Sequence, residues 1–154
     1  MSSSSRSVSS MWEEYLISLG EAPETSDKTY QSWCFGSAPD QLAELTRSGI
    51  KRATASLHFW YLKQGETMPK PGDLSIVTDS SGNAACVIQT TKVTILPFCN
   101  VTPEFAFREG EGDKTLQYWQ NAHRAFFTKE LAELGLPFED DMAVVCEEFH
   151  KVFP

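Results

Sequence analysis

The chain has 154 residues, 41% hydrophobic and 22% charged, with a formal net charge of -8; that is enough chain for one domain with a full core. An acidic body argues against a broad basic surface for gripping long nucleic acid, double-stranded DNA included, because such affinity comes from neutralised phosphates. No apolar run approaches the roughly 18 residues of a membrane span, and the four cysteines (Cys34, Cys86, Cys99, Cys146) lack CxxC or Cys/His ligand spacing, so reduced thiols in a cytoplasmic protein are expected.

MSSSSRSVSS lacks the apolar segment of a signal peptide and reads as a flexible polar tail over 1–10, leaving a single domain over 11–154. MWEEYLISLG places Trp12, Tyr15, Leu16 and Leu19 at helical spacing, closed by Gly20. The aromatic run YQSWCF (30–35) predicts a short strand. In GSAPDQLAELTRSGI, Ser37 and Asp40 suggest a capping box, Pro39 suits the first turn, and Leu42 and Leu45 supply a buried stripe. Gly49 and Ile50 fit a Schellman closure, which sets where Lys51 leaves the helix.

SLHFWYLKQG reads as a short helix or turn ended by Gly65. LSIVTD and AACVIQTTKVTILPF read as two strands joined by SSGN, the second long enough to bend. Thr102 and Pro103 are N-cap and N1 of a short helix, and EGEGD is its glycine-rich exit. Asp113 caps a long helix carrying Leu116, Trp119, His123, Phe126, Phe127, Leu131 and Leu134, ended by Gly135 and Pro137. MAVVCEEFHKVF is a closing strand. The whole is α+β, with mostly antiparallel strands in a small barrel or curved sheet flanked by short helices.

Cations cluster at 47–52 (Arg47, Lys51, Arg52), so a locally basic pocket on the acidic body is expected. Within GIKRATAS (49–56), a turn would bring the Lys51 amine beside the Thr54 hydroxyl. A desolvated lysine can serve as base for a threonine nucleophile. On spacing alone the stretch reads as helix cap and turn, with Thr54 or Ser56 capping the next helix. EGEGD alternates Glu109, Glu111 and Asp113 on glycine-rich backbone, which suits acid/base work, a hard cation, or a plain helix terminus. Trp60, Tyr61, Tyr118 and Trp119 can stack on a base, with at least two of the four expected in the core. By helical phase His123 points inward, as a hydrogen-bonded core histidine does.

Five tracts in this order resemble the ASCH domain, a PUA-like fold, and its bacterial YhfF-like subgroup. They are FG (35–36), GIKRATAS matching G-x-K-x-x-T-x-[RS], PGD (71–73), TPEFAFREGEGD (102–113) and YWQNAHRAFF (118–127). The resemblance spans about 35–153. It implies a small β-barrel with mixed, mostly antiparallel strands flanked by helices. It also implies a cleft beside the signature for a modified nucleoside or single-stranded RNA. In short relatives that hydrolyse N4-acetylcytidine, a lysine, a threonine and a glutamate do the work; these fall on Lys51, Thr54 and Glu109. Arg47, Arg52, Ser56, Trp60, Tyr118 and Trp119 would then contact the ligand. Ser56 stands where many relatives carry arginine. No cofactor is implied for an amidohydrolase; a metal-dependent ribonuclease would hold Mg²⁺ or Mn²⁺ on Glu111 and Asp113. An RNA-binding module and a non-catalytic nucleotide sensor are the other functions the resemblance admits.

Overall fold

The computed structural model describes residues 6–154. Residues 1–5 of the expected tail lie outside the described residues, but its second half is structured. Ser7 accepts from the Ser10 amide and starts helix α1 (Val8–Ser18), and the Arg6 carbonyl accepts from Ala84 N–H. The helix therefore begins at Val8, three residues before Met11 where the expected domain starts, because a serine N-cap can recruit the polar Ser9 and Ser10 into a first turn.

Strand β1 (Gln31–Trp33) precedes helix α2 (Pro39–Arg47). Ala38, in a left-handed conformation (φ 44), occupies the N-cap with no side-chain bond; the Ser37/Asp40 capping box does not form. Asp40 instead accepts from the Ser80 amide. The C-terminus closes as expected: Ile50 N–H reaches Leu45 O at 2.9 Å and Gly49 N–H reaches Thr46 O at 3.1 Å, with Gly49 at φ 82.

The second half of GIKRATAS is no turn. Ala53–Leu57 form strand β2, followed by helix α3 (Phe59–Lys63), so Thr54 and Ser56 are strand residues rather than caps. Strands β3 (Leu74–Thr78) and β4 (Ala84–Pro97) form the expected hairpin. Thr102 accepts from the Phe105 amide at the start of α4 (Pro103–Glu109). Thr115, not Asp113, caps α5 (Leu116–Ala132) by accepting from Tyr118 N–H; Asp113 sits two residues back and accepts from Thr115. Strand β5 (Ala143–Phe153) ends the fold.

The five strands form one sheet in the order β1-β3-β4-β5-β2, antiparallel except for the parallel β1/β3 pair. Register shifts in β4 at Val87/Ile88 and Thr90/Lys92 bend it across β5, as bulges do in curved sheets. The curl gives a half-barrel. The hairpin is buried on both faces: Ile76 and Val87 pack under α1, while Val77, Cys86 and Ile88 pack under α2, so it reads as continuous apolar sequence. A third cluster joins β2 and β5 to α4 and α5 through Ala53, Leu57, Phe105, Trp119, Phe127 and Val144. Edge strands β1 and β2 do not pair with each other; residues of both line one cleft. No described helix is long and apolar enough to cross a membrane.

Candidate functional site

The cleft at the half-barrel's open seam has two chambers that share Phe35, Gly36, Thr54, Ala55 and Phe126 as their partition. The inner one, about 100 Å³, is lined by Lys51, Glu109, Glu111 and His123. The outer one, about 590 Å³, is walled by Trp33, Trp60 and Tyr61.

Lys51 is delivered by the Schellman turn, whose Leu45 carbonyl also accepts from Lys51 N–H at 3.0 Å. Its side chain is fully buried. The Nζ donates to Glu109 Oε1 at 2.6 Å, Glu111 Oε2 at 2.7 Å and Ala53 O at 2.8 Å, and sits 5.0 Å from the Phe35 ring centre. An ammonium has three N–H donors, and all three are spent. Burial alone would depress this amine, but Glu109 and Glu111 together outweigh it and hold it above its ordinary value. Lys51 is thus a fixed cation.

Glu109, at the last turn of α4, is 1% exposed. Its Oε2 accepts from Trp119 Nε1 at 2.8 Å and lies 3.3 Å from His123 Nε2. Burial would raise this carboxyl, but Lys51 and His123 overcome that and hold it well below the usual range. His123 is 12% exposed at its side chain and stacks on Trp119 with ring centres 4.3 Å apart. Its Nδ1 is 3.0 Å from Trp119 O. A carbonyl only accepts, so Nδ1 carries a proton. Nε2 must also carry one to meet an ionised Glu109 favourably, which makes the ring an imidazolium. Burial would lower its pKa; the Glu109 carboxylate outweighs that and raises it. Glu111 differs: burial and the neighbouring Glu109 raise its carboxyl despite Lys51.

The glycines around Glu111 are tightly placed rather than a loose exit. A Cβ on Gly110 (φ 71) would lie 2.5 Å from Ile50 O, and one on Gly112 (φ 58) would lie 2.4 Å from the Tyr118 ring. Glu111 is aimed at Lys51 by this packing. Glu109, Glu111 and His123 each offer a ligand atom within 4.8 Å of the others. The Lys51 ammonium, however, already bridges the two carboxylates, so a divalent ion would have to displace a buried cation. The residues as arranged do not fit one, and Asp113 is turned away onto Thr115.

The structure therefore brings Lys51, Thr54, Glu109 and Glu111 to one chamber, with Ser56 and Trp60 in the next. Ser56 Oγ is 2.8 Å from Tyr61 Oη. Trp119 is buried as the partner of Glu109 rather than a stacking surface. It alone of the four candidate stacking aromatics is buried; Trp60 and Tyr61 are half-buried and Tyr118 is exposed outside the cleft. Arg47 pairs with Glu44 on the surface at 2.7 Å, and Arg52 lies with Arg108 at a separate shallow depression. The sequence cluster at 47–52 thus forms no basic pocket: its three cations diverge, and the one that enters the cleft is neutralised there. Among the cleft residues outside the sequence-based site, two matter most to its chemistry. His123 was placed inward by helical phase, which says nothing of what it faces. Glu147 lies directly across from Thr54 in the β2/β5 register and carried no motif signal.

A model of the ASCH domain matches residues 31–153, and the chain belongs to that family. It is similar to the crystal structure of an ASCH domain from Lactobacillus crispatus JV V101, with 40% identity, TM-score 0.84, and coverage of 94% of this chain and 92% of that one. It is also similar to protein EF3133 from Enterococcus faecalis V583, with 34% identity, TM-score 0.81, and coverage of 95% and 88%. Hypothetical protein PH0355, at 18% identity and TM-score 0.54 over 80% of this chain and all of that one, shares the fold alone. No curated protein matches.

Proposed function

We propose that the cleft binds a modified nucleoside or a related small amide and hydrolyses its N-acyl group, with Thr54 as nucleophile. The convergence of Lys51, Thr54 and Glu109 on one chamber supports this reading most. The chamber's volume equals roughly three waters, which suits a short acyl group. No described residue engages the Thr54 hydroxyl.

Lys51 cannot take the Thr54 proton while it is a saturated ammonium. Its role is electrostatic: a fixed positive charge, held by Glu109, beside the position where the acyl oxygen becomes negative. The proton acceptor is Glu147. Directly opposed residues in an antiparallel pair have Cβ atoms about 5 Å apart on the same face. Thr90 Oγ1 holds Glu147 Oε2 at 2.6 Å, leaving Oε1 without a partner among the described residues. Burial raises this carboxyl, which makes its ionised form a stronger base.

Thr54 Oγ1 bonds to the acyl carbon as its proton passes to Glu147. The C–N bond then breaks as Glu147 returns that proton to the leaving nitrogen. Water attacks the acyl-threonine, gives a proton to Glu147, and the acid departs as Thr54 regains its hydroxyl proton. The test is chromatographic: wild-type protein releases cytidine from N4-acetylcytidine, and Lys51→Ala does not. Folded protein with no release defeats the reading.

Binding of RNA through phosphates is less well supported by the cleft, because its cations are matched internally. Salt-sensitive binding of a single-stranded oligonucleotide, lost on Arg52→Ala, would favour that alternative.

A further inference from the structure

The outer chamber is large enough for a drug-sized ligand and has an unusual charge balance. Glu66, Asp73, Glu130 and Glu147 all line it, and no described lysine, arginine or histidine does. Among the described residues only Asp73 has a cation at hand: Lys70, standing outside the lining, pairs with it at 2.7 Å. Burial raises the carboxyls of both Glu130 and Glu147. The fold therefore desolvates Glu130 and Glu147 without supplying a counter-charge, whereas a few residues deeper it matches two acids with Lys51 and His123.

The walls add a second feature. Trp33 and Tyr61 are half-buried, and so is Trp60, which is set edge-on to Phe59 at 82°. They come from opposite edges of the seam, β1 on one side and β2 with α3 on the other. Aromatic faces carry negative potential and attract cations, the more so where water is excluded. Carboxylates between two aromatic walls favour a planar group that bears positive charge, and they repel phosphate or carboxylate.

We propose that the outer chamber is the binding site for a planar aromatic or heteroaromatic group that carries a positive charge and no phosphate, as an arylalkylammonium does. This deepens the hydrolase reading, on which it rests for orientation: the acyl group enters the inner chamber and the amine-bearing body fills the outer one. Acyl transfer to Thr54 would then leave the amine-bearing product beside Glu147 and Glu130.

Titration calorimetry on the full chain with three near-isosteric indoles tests this without turnover: tryptamine (cation), tryptophol (neutral) and indole-3-acetate (anion). Tryptamine is expected to bind at least about tenfold tighter than tryptophol, a margin within reach of a desolvated cation–π contact plus carboxylates, and indole-3-acetate not measurably. In Glu66→Gln/Glu130→Gln the tryptamine advantage shrinks to less than about threefold, while tryptophol affinity and the circular dichroism spectrum are unchanged. The proposal is overturned if tryptamine does not bind, if indole-3-acetate or cytidine monophosphate binds as tightly, or if the double variant keeps the full preference. Tryptamine selectivity without release of cytidine from N4-acetylcytidine would leave the chamber assignment standing and remove the hydrolase; release without selectivity would do the reverse.

Discussion

The inner and outer chambers lie on either side of the same few residues, yet they handle charge in opposite ways. Inside, Lys51 and His123 answer Glu109 and Glu111 within 2.6 to 3.3 Å, and the fold completes its own electrostatics. Outside, three of the four acids stand among aromatic side chains with no cation of the described residues beside them. A self-satisfied cluster is a means of holding geometry. An unsatisfied one is a means of choosing a ligand.

The sharpest way to break this contrast is to remove the inner cation. Lys51→Ala leaves Glu111 with no cation and the buried Glu109 with His123 alone, and should cost about 3–5 kcal/mol of stability as well as turnover, read by urea unfolding. Lys51→Met/Glu111→Gln should recover most of that loss, because it removes the acid left without a cation while Glu109 keeps His123 and Trp119. If Lys51→Ala costs no more than breaking the exposed Arg124–Asp140 pair, the inner cluster is not self-satisfied in the sense described.

Gly110→Ala tests whether packing aims Glu111. A Cβ against the Ile50 carbonyl at positive φ should cost on the order of 1–3 kcal/mol, and tolerance of alanine there would show that the turn is loose.

Glu147→Gln should abolish turnover with the fold intact. Its carboxyl is raised on folding, so the ionised form costs stability above the folded pKa, and that cost vanishes as pH falls below the unfolded value. The variant should therefore equal or exceed wild type by up to about 1 kcal/mol at neutral pH and lose that advantage in acid. A variant less stable than wild type at neutral pH contradicts the assignment.

The smallest effect is spectroscopic. His123 is raised above its ordinary 6.5, so its stabilising contribution is complete below that value and is lost as pH rises through the folded pKa. Imidazole nitrogen shifts should report a doubly protonated ring at pH 7; a neutral ring there would leave the inner cluster one positive charge short.

What the sequence made legible follows the range of the interactions involved. The Schellman stop at Gly49, the Thr102 cap and β4 to within one residue of its end are written in adjacent residues, and they appear as expected. Strand β2 is not: ATASL is short and rich in small residues, and its pairing is supplied by β5 some ninety positions away. Ala38 at the head of α2 likewise holds a conformation that only tertiary context stabilises. In the site, the joining of Lys51 to Glu109 was readable only through family resemblance. The outer chamber's acids arrive from four separate segments, so no local pattern could have gathered them.

The open seam has a mechanical consequence. Because β1 and β2 share no backbone hydrogen bonds, the gap can widen or narrow without breaking the sheet's ladder. A guest touching Trp33 and Trp60 together would act as the missing stave of the barrel. Its arrival should slow amide exchange in β1 and β2 at once, tying two distant stretches of chain into one cooperative unit for as long as the guest stays.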